Sequence, residues 1–171
     1  MGPSGSGKST LARQLGEQLG IEVVHMDRLH WRPGWVEGPN EELRAAVAEV
    51  VDRPAWVIDG NYGGSGTLEV RMDACDTIVY LDFPRRVCMW RVFRRIVHYH
   101  GRTRPDLADD CPERFDLEFA KWVWDTPKRR PAAMERLAQY AGRKEIHILH
   151  NAREVRECLA GLTGASAAGP V

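Results

Sequence analysis

Gly2-Pro3-Ser4-Gly5-Ser6-Gly7-Lys8-Ser9, standing almost at the first residue, decides the fold. Two glycines, a lysine and a serine occupy the offsets of a phosphate-binding loop of the Walker A pattern. In a chain of this composition such a match arises by chance at roughly 0.2%, so the motif outweighs the bland alternative of a Gly/Ser-rich terminus. Its chemistry follows from geometry. Glycines permit positive φ and let backbone amides converge on phosphate oxygens, and the helix that follows adds its positive end. Gly2, Pro3, Ser4, Gly5, Ser6, Gly7, Lys8, Ser9 and Thr10 are therefore the expected nucleotide-binding set. Lys8 bridges the β- and γ-phosphates, the Ser9 hydroxyl meets Mg²⁺, and Thr10 reaches the α-phosphate. ATP and Mg²⁺ are the expected ligands.

Working outward, Lys8–Leu19 reads as a helix with Leu11, Leu15 and Leu19 on one face and Gly20 closing it. Apolar runs at 21–25, 55–59, 77–82 and 145–149 read as strands. Helical patterns follow from Asn40, expected as a cap, from Pro84 to Tyr99, over 113–124, over 127–141 and over 152–161. Residues 26–40 and 101–112 read as loops. Strands alternating with helices predict a parallel α/β sheet, with ligands at the carboxyl ends of its strands. One domain is expected over 1–162, with a lid-like insertion at about 97–125 and a flexible tail over 163–171. A phosphate loop joins a buried strand to its helix, yet only Met1 precedes Gly2. The sequence thus predicts a first strand, encoded upstream and missing from this chain.

Three aspartates fall at strand ends. Asp59 closes Trp56-Val57-Ile58 in the manner of a Walker B carboxylate, so Ser9 and Asp59 are the expected metal ligands. Asp27 is placed to orient or deprotonate an acceptor hydroxyl. Asp82 is the rival of Asp59, read as a turn-capping residue. Seven arginines and no acid lie between 85 and 104, and seven acids against two bases follow in 105–125. Arg91 and Arg95 stand four apart on one helix face, where both can meet one anion. Lys8, Arg91, Arg95 and Asp27 are the expected catalytic residues.

The 24 basic and 24 acidic residues balance, so no net charge draws the chain to nucleic acid or membrane. Four cysteines without a CxxC pair, and no targeting run, fit a reduced cytoplasm. His98, His100 and Cys111 are too sparse a set for zinc. Trp31, Trp35, Trp122 and Trp124 read as packing residues. The exception to watch is the run 29–35, whose tryptophans stand beside Asp27.

Taken together, these residues resemble the small P-loop kinases of the adenylate kinase and shikimate kinase type. They are closest to the branch described as topology-modulation or adenylate-kinase-like proteins. The motifs are GPSGSGKST, His25-Met26-Asp27 with Leu29-His30-Trp31, Trp56-Val57-Ile58-Asp59-Gly60-Asn61-Tyr62, and Tyr80-Leu81-Asp82-Phe83-Pro84-Arg85. Thr103-Arg104-Pro105-Asp106 and Cys111-Pro112-Glu113 also fit. The resemblance implies a three-layer α/β/α fold with strand order 2-3-1-4-5, and a lid after the fourth strand that carries Arg91 and Arg95. It also implies ATP·Mg²⁺ with Asp59 beside the metal, and an adenine near 150–153. Asp59-Gly60-Asn61-Tyr62-Gly63 lacks the acceptor-binding arginine that adenylate kinases carry, which argues against AMP. The expected activity is γ-phosphoryl transfer to a small molecule or nucleotide. The alternative is an ATPase or regulatory protein holding nucleic acid on the 85–104 arginines, with steep salt dependence.

Overall fold

The computed structural model describes residues 1–167. Helix α1 (Lys8–Leu19) leads into β1 (Val23–His25), a short α2 (Met26–His30), and the hairpin strands β2 (Trp31–Arg32) and β3 (Val36–Glu37). Next come α3 (Asn40–Val51), β4 (Val57–Asp59), a 3₁₀ turn (Gly63–Ser65), α4 (Leu68–Ala74) and β5 (Thr77–Leu81). Helices α5 (Arg85–Tyr99), α6 (Leu117–Trp124) and α7 (Thr126–Ala138) precede β6 (Glu145–Leu149) and α8 (Ala152–Ala167).

The major strands are parallel, as alternation predicts, and they form two pairs. In one, β1 lies on β4 with His25 opposite Asp59; in the other, β5 lies on β6 over five residues. Between the pairs stands the start of the phosphate loop. The Met1 amine donates to Val79 O at 2.6 Å, and Leu81 N donates to Met1 O at 2.9 Å. Strand β5 thus pairs with Met1 on one edge and with β6 on the other. The five-stranded order is represented among the described residues by four parallel strands, with the loop's first residue between the pairs.

Period-two alternation in β5 divides the core into two layers. Leu81 and Val79 pack with Leu11 and Leu15 of α1, Cys88, Val92 and Ile96 of α5, and Leu149. Ile78 and Tyr80 point the other way, onto Leu68, Met72, Leu137 and Tyr140. Helices thus cover both faces, giving the three-layer arrangement. A third cluster, Met26 with Leu43 and Val47, seats α2 and α3 over Ile58.

Several boundaries differ from expectation for identifiable reasons. Asn40 is the first residue of α3 rather than its cap; Pro39 holds the cap position, and no side chain caps the helix. Helix α6 begins at Leu117, not 113, because Asp116 accepts from Phe119 N, while Glu113 is held in the preceding loop by Arg95 and Arg104. Residues 97–99, expected at the start of the insertion, continue α5. Helix α8 runs through Ala167, beyond the expected boundary at 163; the tail residues 168–171 lie outside the described residues. All four cysteines are free thiols.

Leu81 is 2% exposed at the centre of the larger cluster. Leu81→Ala is expected to cost about 2–5 kcal/mol, seen as a lower denaturation midpoint with an unchanged denaturant slope.

Candidate active site

The loop obtains its shape from three glycines at φ 132° (Gly2), 80° (Gly5) and 102° (Gly7). Gly5 has a second constraint, since a Cβ there would lie 2.3 Å from Cys88 O of α5. Gly2 is held from the β4 side by Asn61: Gly2 N donates to Asn61 Oδ1 at 3.1 Å, and Asn61 Nδ2 donates to Gly2 O at 2.8 Å. Asn61 is fixed in turn by Arg71, a buried guanidinium that donates to Gly60 O (2.8 Å), Asn61 O (2.6 Å) and Thr67 O (3.2 Å). Burial lowers the Arg71 pKa to about 10, leaving it charged at neutral pH.

Lys8 Nζ donates to Pro3 O at 2.9 Å, which lays its ammonium along the loop. Burial pushes its pKa down, while Asp59 and Asp27 draw it back up. Arg91 Nη1 reaches Ser6 O at 2.8 Å, with its guanidinium 4.6 Å from the centre of the Phe83 ring. Arg95 sits one turn further along α5 and goes instead to Glu113, at 2.8 and 2.9 Å. Arg104 joins that carboxylate at 2.8 Å and Asp106 at 2.9 Å. The basic run is thereby divided: Arg91, Arg95 and Arg104 line the cleft, Arg85 stacks on Trp124, and Arg86, Arg94 and Arg102 stay exposed.

Asp59 is 8% exposed, and His25 Nδ1 lies 3.2 Å from its Oδ2. Burial alone would raise its pKa. The His25 hydrogen bond, the Lys8 ammonium and the Ser9 hydroxyl outweigh burial and hold it at about 2. Its other oxygen, Oδ1, is buried with no partner. An ionised carboxylate with an unsatisfied buried oxygen, beside a serine at the start of α1, suits a hard cation such as Mg²⁺. Asp82, the rival, is gripped by both Arg130 Nε and Nη2 at 2.7–3.0 Å, which commits it to holding α7.

Asp27 lies in the first turn of α2 and accepts from Tyr62 OH at 2.7 Å. Burial and the Asp27 charge raise the Tyr62 pKa, so the phenol stays protonated and donates. All the expected site residues meet in one cleft of about 1730 Å³: residues 2–10, Asp27, Asp59, Arg91 and Arg95. The cleft continues to Ala152, Val155 and Arg156 at the start of α8, beside the expected adenine segment. His25, Asn61, Tyr62, Arg71 and Glu113 complete the site without having been singled out individually. For His25 a signal did exist, since it is the last residue of its strand, as Asp59 is of its own. Among the described residues, no group of three His, Cys, Asp or Glu could itself hold a metal. None of the described helices is long and apolar enough to cross a membrane.

A glycine-shaped loop opening a helix between parallel strand pairs, with Lys8, Ser9 and Asp59 around it, defines a P-loop nucleotide-binding fold. No protein-family model matches the chain. Shikimate kinase 1 of Yersinia enterocolitica is 30% identical over 131 residues, 69% of this chain and 72% of that enzyme. The shikimate kinase of Halorhodospira halophila is 32% identical over 126 residues, 66% of this chain and 68% of that enzyme. Among solved structures, shikimate kinase from Acinetobacter baumannii in complex with shikimate superposes with a TM-score of 0.61 at 20% identity. It covers 98% of this chain and 90% of its own. The Bacteroides thetaiotaomicron shikimate kinase gives 0.55 at 16%, covering 97% and 95%. The chain belongs to the shikimate kinase family: it is an ATP-using P-loop kinase of small molecules.

Asn61→Ala removes both side-chain bonds to Gly2. With each worth about 1 kcal/mol, ATP binding is expected to weaken about tenfold or more. Titration of the folded variant with a fluorescent ATP analogue checks this, and an unchanged Kd refutes the clamp.

Proposed function

We propose that this kinase transfers the γ-phosphoryl group of ATP to a hydroxyl of a small molecule seated beside Asp27. The reading rests on one observation: Lys8, Arg91 and the glycine loop face the same cleft as Asp27 and its Tyr62 partner. Among the small P-loop kinases, the motifs His25-Met26-Asp27 and Asp59-Gly60-Asn61-Tyr62 are what support the branch described as topology-modulation or adenylate-kinase-like proteins.

Loop amides and the start of α1 hold the triphosphate, with Thr10 at its α-phosphate end. Lys8 and Arg91 meet the charge that develops on the transferring group, and Arg95 reaches it from its ion pair with Glu113. Ser9 and Asp59 are the residues to hold Mg²⁺, which when bound neutralises phosphate charge. His25 keeps the Asp59 carboxylate turned toward the loop. Tyr62 engages Asp27 Oδ1, so the acceptor hydroxyl is assigned to Oδ2. As the acceptor oxygen bonds to the γ-phosphorus, the bond to the bridging oxygen breaks. ADP leaves, and the hydroxyl proton passes to Asp27.

Acceptor-dependent ADP formation tests this with a panel that includes shikimate, nucleosides, sugars and amino alcohols. Asp27→Asn is expected to lower kcat about 10²–10⁴-fold while ATP affinity is kept; retention of kcat overturns the role of Asp27. Lys8→Ala is expected to abolish turnover, and unchanged turnover overturns the loop assignment.

A further inference from the structure

The half of the cleft beyond Asp27 has a composition of its own. Its wall is the β2–β3 hairpin with Tyr62: Trp31, Trp35, Glu37 and Tyr62 all line the cleft. Trp31 and Glu37 are direct partners in the antiparallel ladder, so their side chains project from one face. The Trp31 and Trp35 rings meet edge to face at 5.3 Å, and His30 packs against Trp31 at 4.9 Å and Tyr62 at 4.7 Å. Trp35 is held at φ 64°. Its ring nitrogen donates to Pro112 O at 3.0 Å, and Gly34 N donates to Asp110 O at 2.9 Å, so the lid loop fixes the ring.

The charges here are unbalanced. Among the described residues, the arginines around the site that are not fully exposed are already committed: Arg71 to backbone carbonyls, Arg91 to Ser6 O, Arg95 to Glu113, Arg104 to Asp106 and Glu113, and Arg136 to Glu69 at 3.5 Å. Among the described residues, the carboxylates of Asp27 and Glu37 pair with no guanidinium: Asp27 accepts from a phenol and lies in the field of the Lys8 ammonium on the phosphate side, and Glu37 meets His30, at 4.0 Å. A wall of indole and phenol faces with two carboxylates attracts cations, through the ring quadrupoles and direct charge pairing. It offers a carboxylate no uncommitted buried guanidinium among the described residues. Shikimate, to which the Acinetobacter relative is bound, is a carboxylate.

We propose that the acceptor is a hydroxyl-bearing organic cation, a small amine such as an amino sugar, aminocyclitol or amino alcohol. Its ammonium lies against Trp31, Trp35 and Tyr62 and pairs with Glu37, while its hydroxyl meets Asp27. The assignment rests on the kinase reading above and keeps its chemistry. The acceptor oxygen gains the phosphoryl group, the bridge to ADP breaks, the hydroxyl proton goes to Asp27, and the ammonium is unchanged.

The test compares amino sugars and amino alcohols with their N-acetyl derivatives, which keep the hydroxyls and lose the charge, and with shikimate. The full chain with Mg·ATP is used, following ADP and phosphorylated product. An amine is expected to exceed its N-acetyl derivative and shikimate at least tenfold in kcat/KM, the scale of a lost cation contact. Glu37 is exposed and outside the core. Glu37→Gln is therefore expected to raise the amine's KM about tenfold, with the loss carried by KM rather than kcat. Equal turnover of amine and N-acetyl derivative, an unchanged KM in Glu37→Gln, or better turnover of shikimate each overturns the assignment. Turnover of shikimate does so while leaving the kinase reading intact; ADP formation with no acceptor of any class overturns both.

Discussion

Gly2 lies between the two strand pairs, tied to Asn61 on the β4 side, while its neighbour Met1 is bonded to β5. The positive φ angles of Gly2, Gly5 and Gly7 are stable only under that confinement, because an unconstrained glycine run samples many conformations. The confinement is relayed. Arg71 fixes the carbonyls of Gly60 and Asn61, Asn61 fixes Gly2, and α5 presses its Cys88 carbonyl against Gly5. Lys8, Ser9 and Asp59 are placed as a consequence, since α1 starts where the loop ends and β4 ends where Asn61 is anchored.

Burial of Asp59 sets the electrostatics. A carboxylate at 8% exposure loses hydration and is driven toward its neutral form unless partners are supplied. His25, Lys8 and Ser9 supply them strongly enough to hold the pKa at about 2, and one oxygen is still left over. Such a surplus is costly in a structural ion pair and useful in a site that receives a cation. Asp82 shows the other outcome. Its oxygens are taken by Arg130, and it acts as a tie between sheet and helix.

Local patterns carried much of this in the sequence. Leu11, Leu15 and Leu19 mark α1 because a three-turn helix repeats its apolar face often enough to be recognised. Asp27 and Asp59 stood out because strand ends face the cleft in parallel sheets. What was not legible has a physical cause. Strands β2 and β3 have two residues each, too few for a period, so 26–40 read as loop although it holds α2 and a hairpin. Helix α4 has seven residues, with a buried arginine on its inner face in place of an apolar residue. The pairs Arg95–Glu113 and Arg71–Asn61 join separate segments through side chains, and no local pattern reports such contacts. Arg91 and Arg95 are on one face as their spacing demands, but spacing does not choose partners; α5 sends one to the phosphate loop and the other to Glu113.

Arg95 and Arg104 sharing Glu113 also bear on how the two halves of the cleft communicate. Glu113 is 4% exposed and collects two guanidiniums, an arrangement in which each charge depends on the others for compensation. The same loop supplies Pro112 O to Trp35 and Asp110 O to Gly34. One short segment therefore bonds to Arg95 and Arg104 and to Trp35 of the hairpin. Displacement of 110–113 alters both sets of contacts together, because the hairpin and α5 reach it within four residues. In a kinase this favours joint assembly of the two substrate sites, which limits the transfer of phosphate to water.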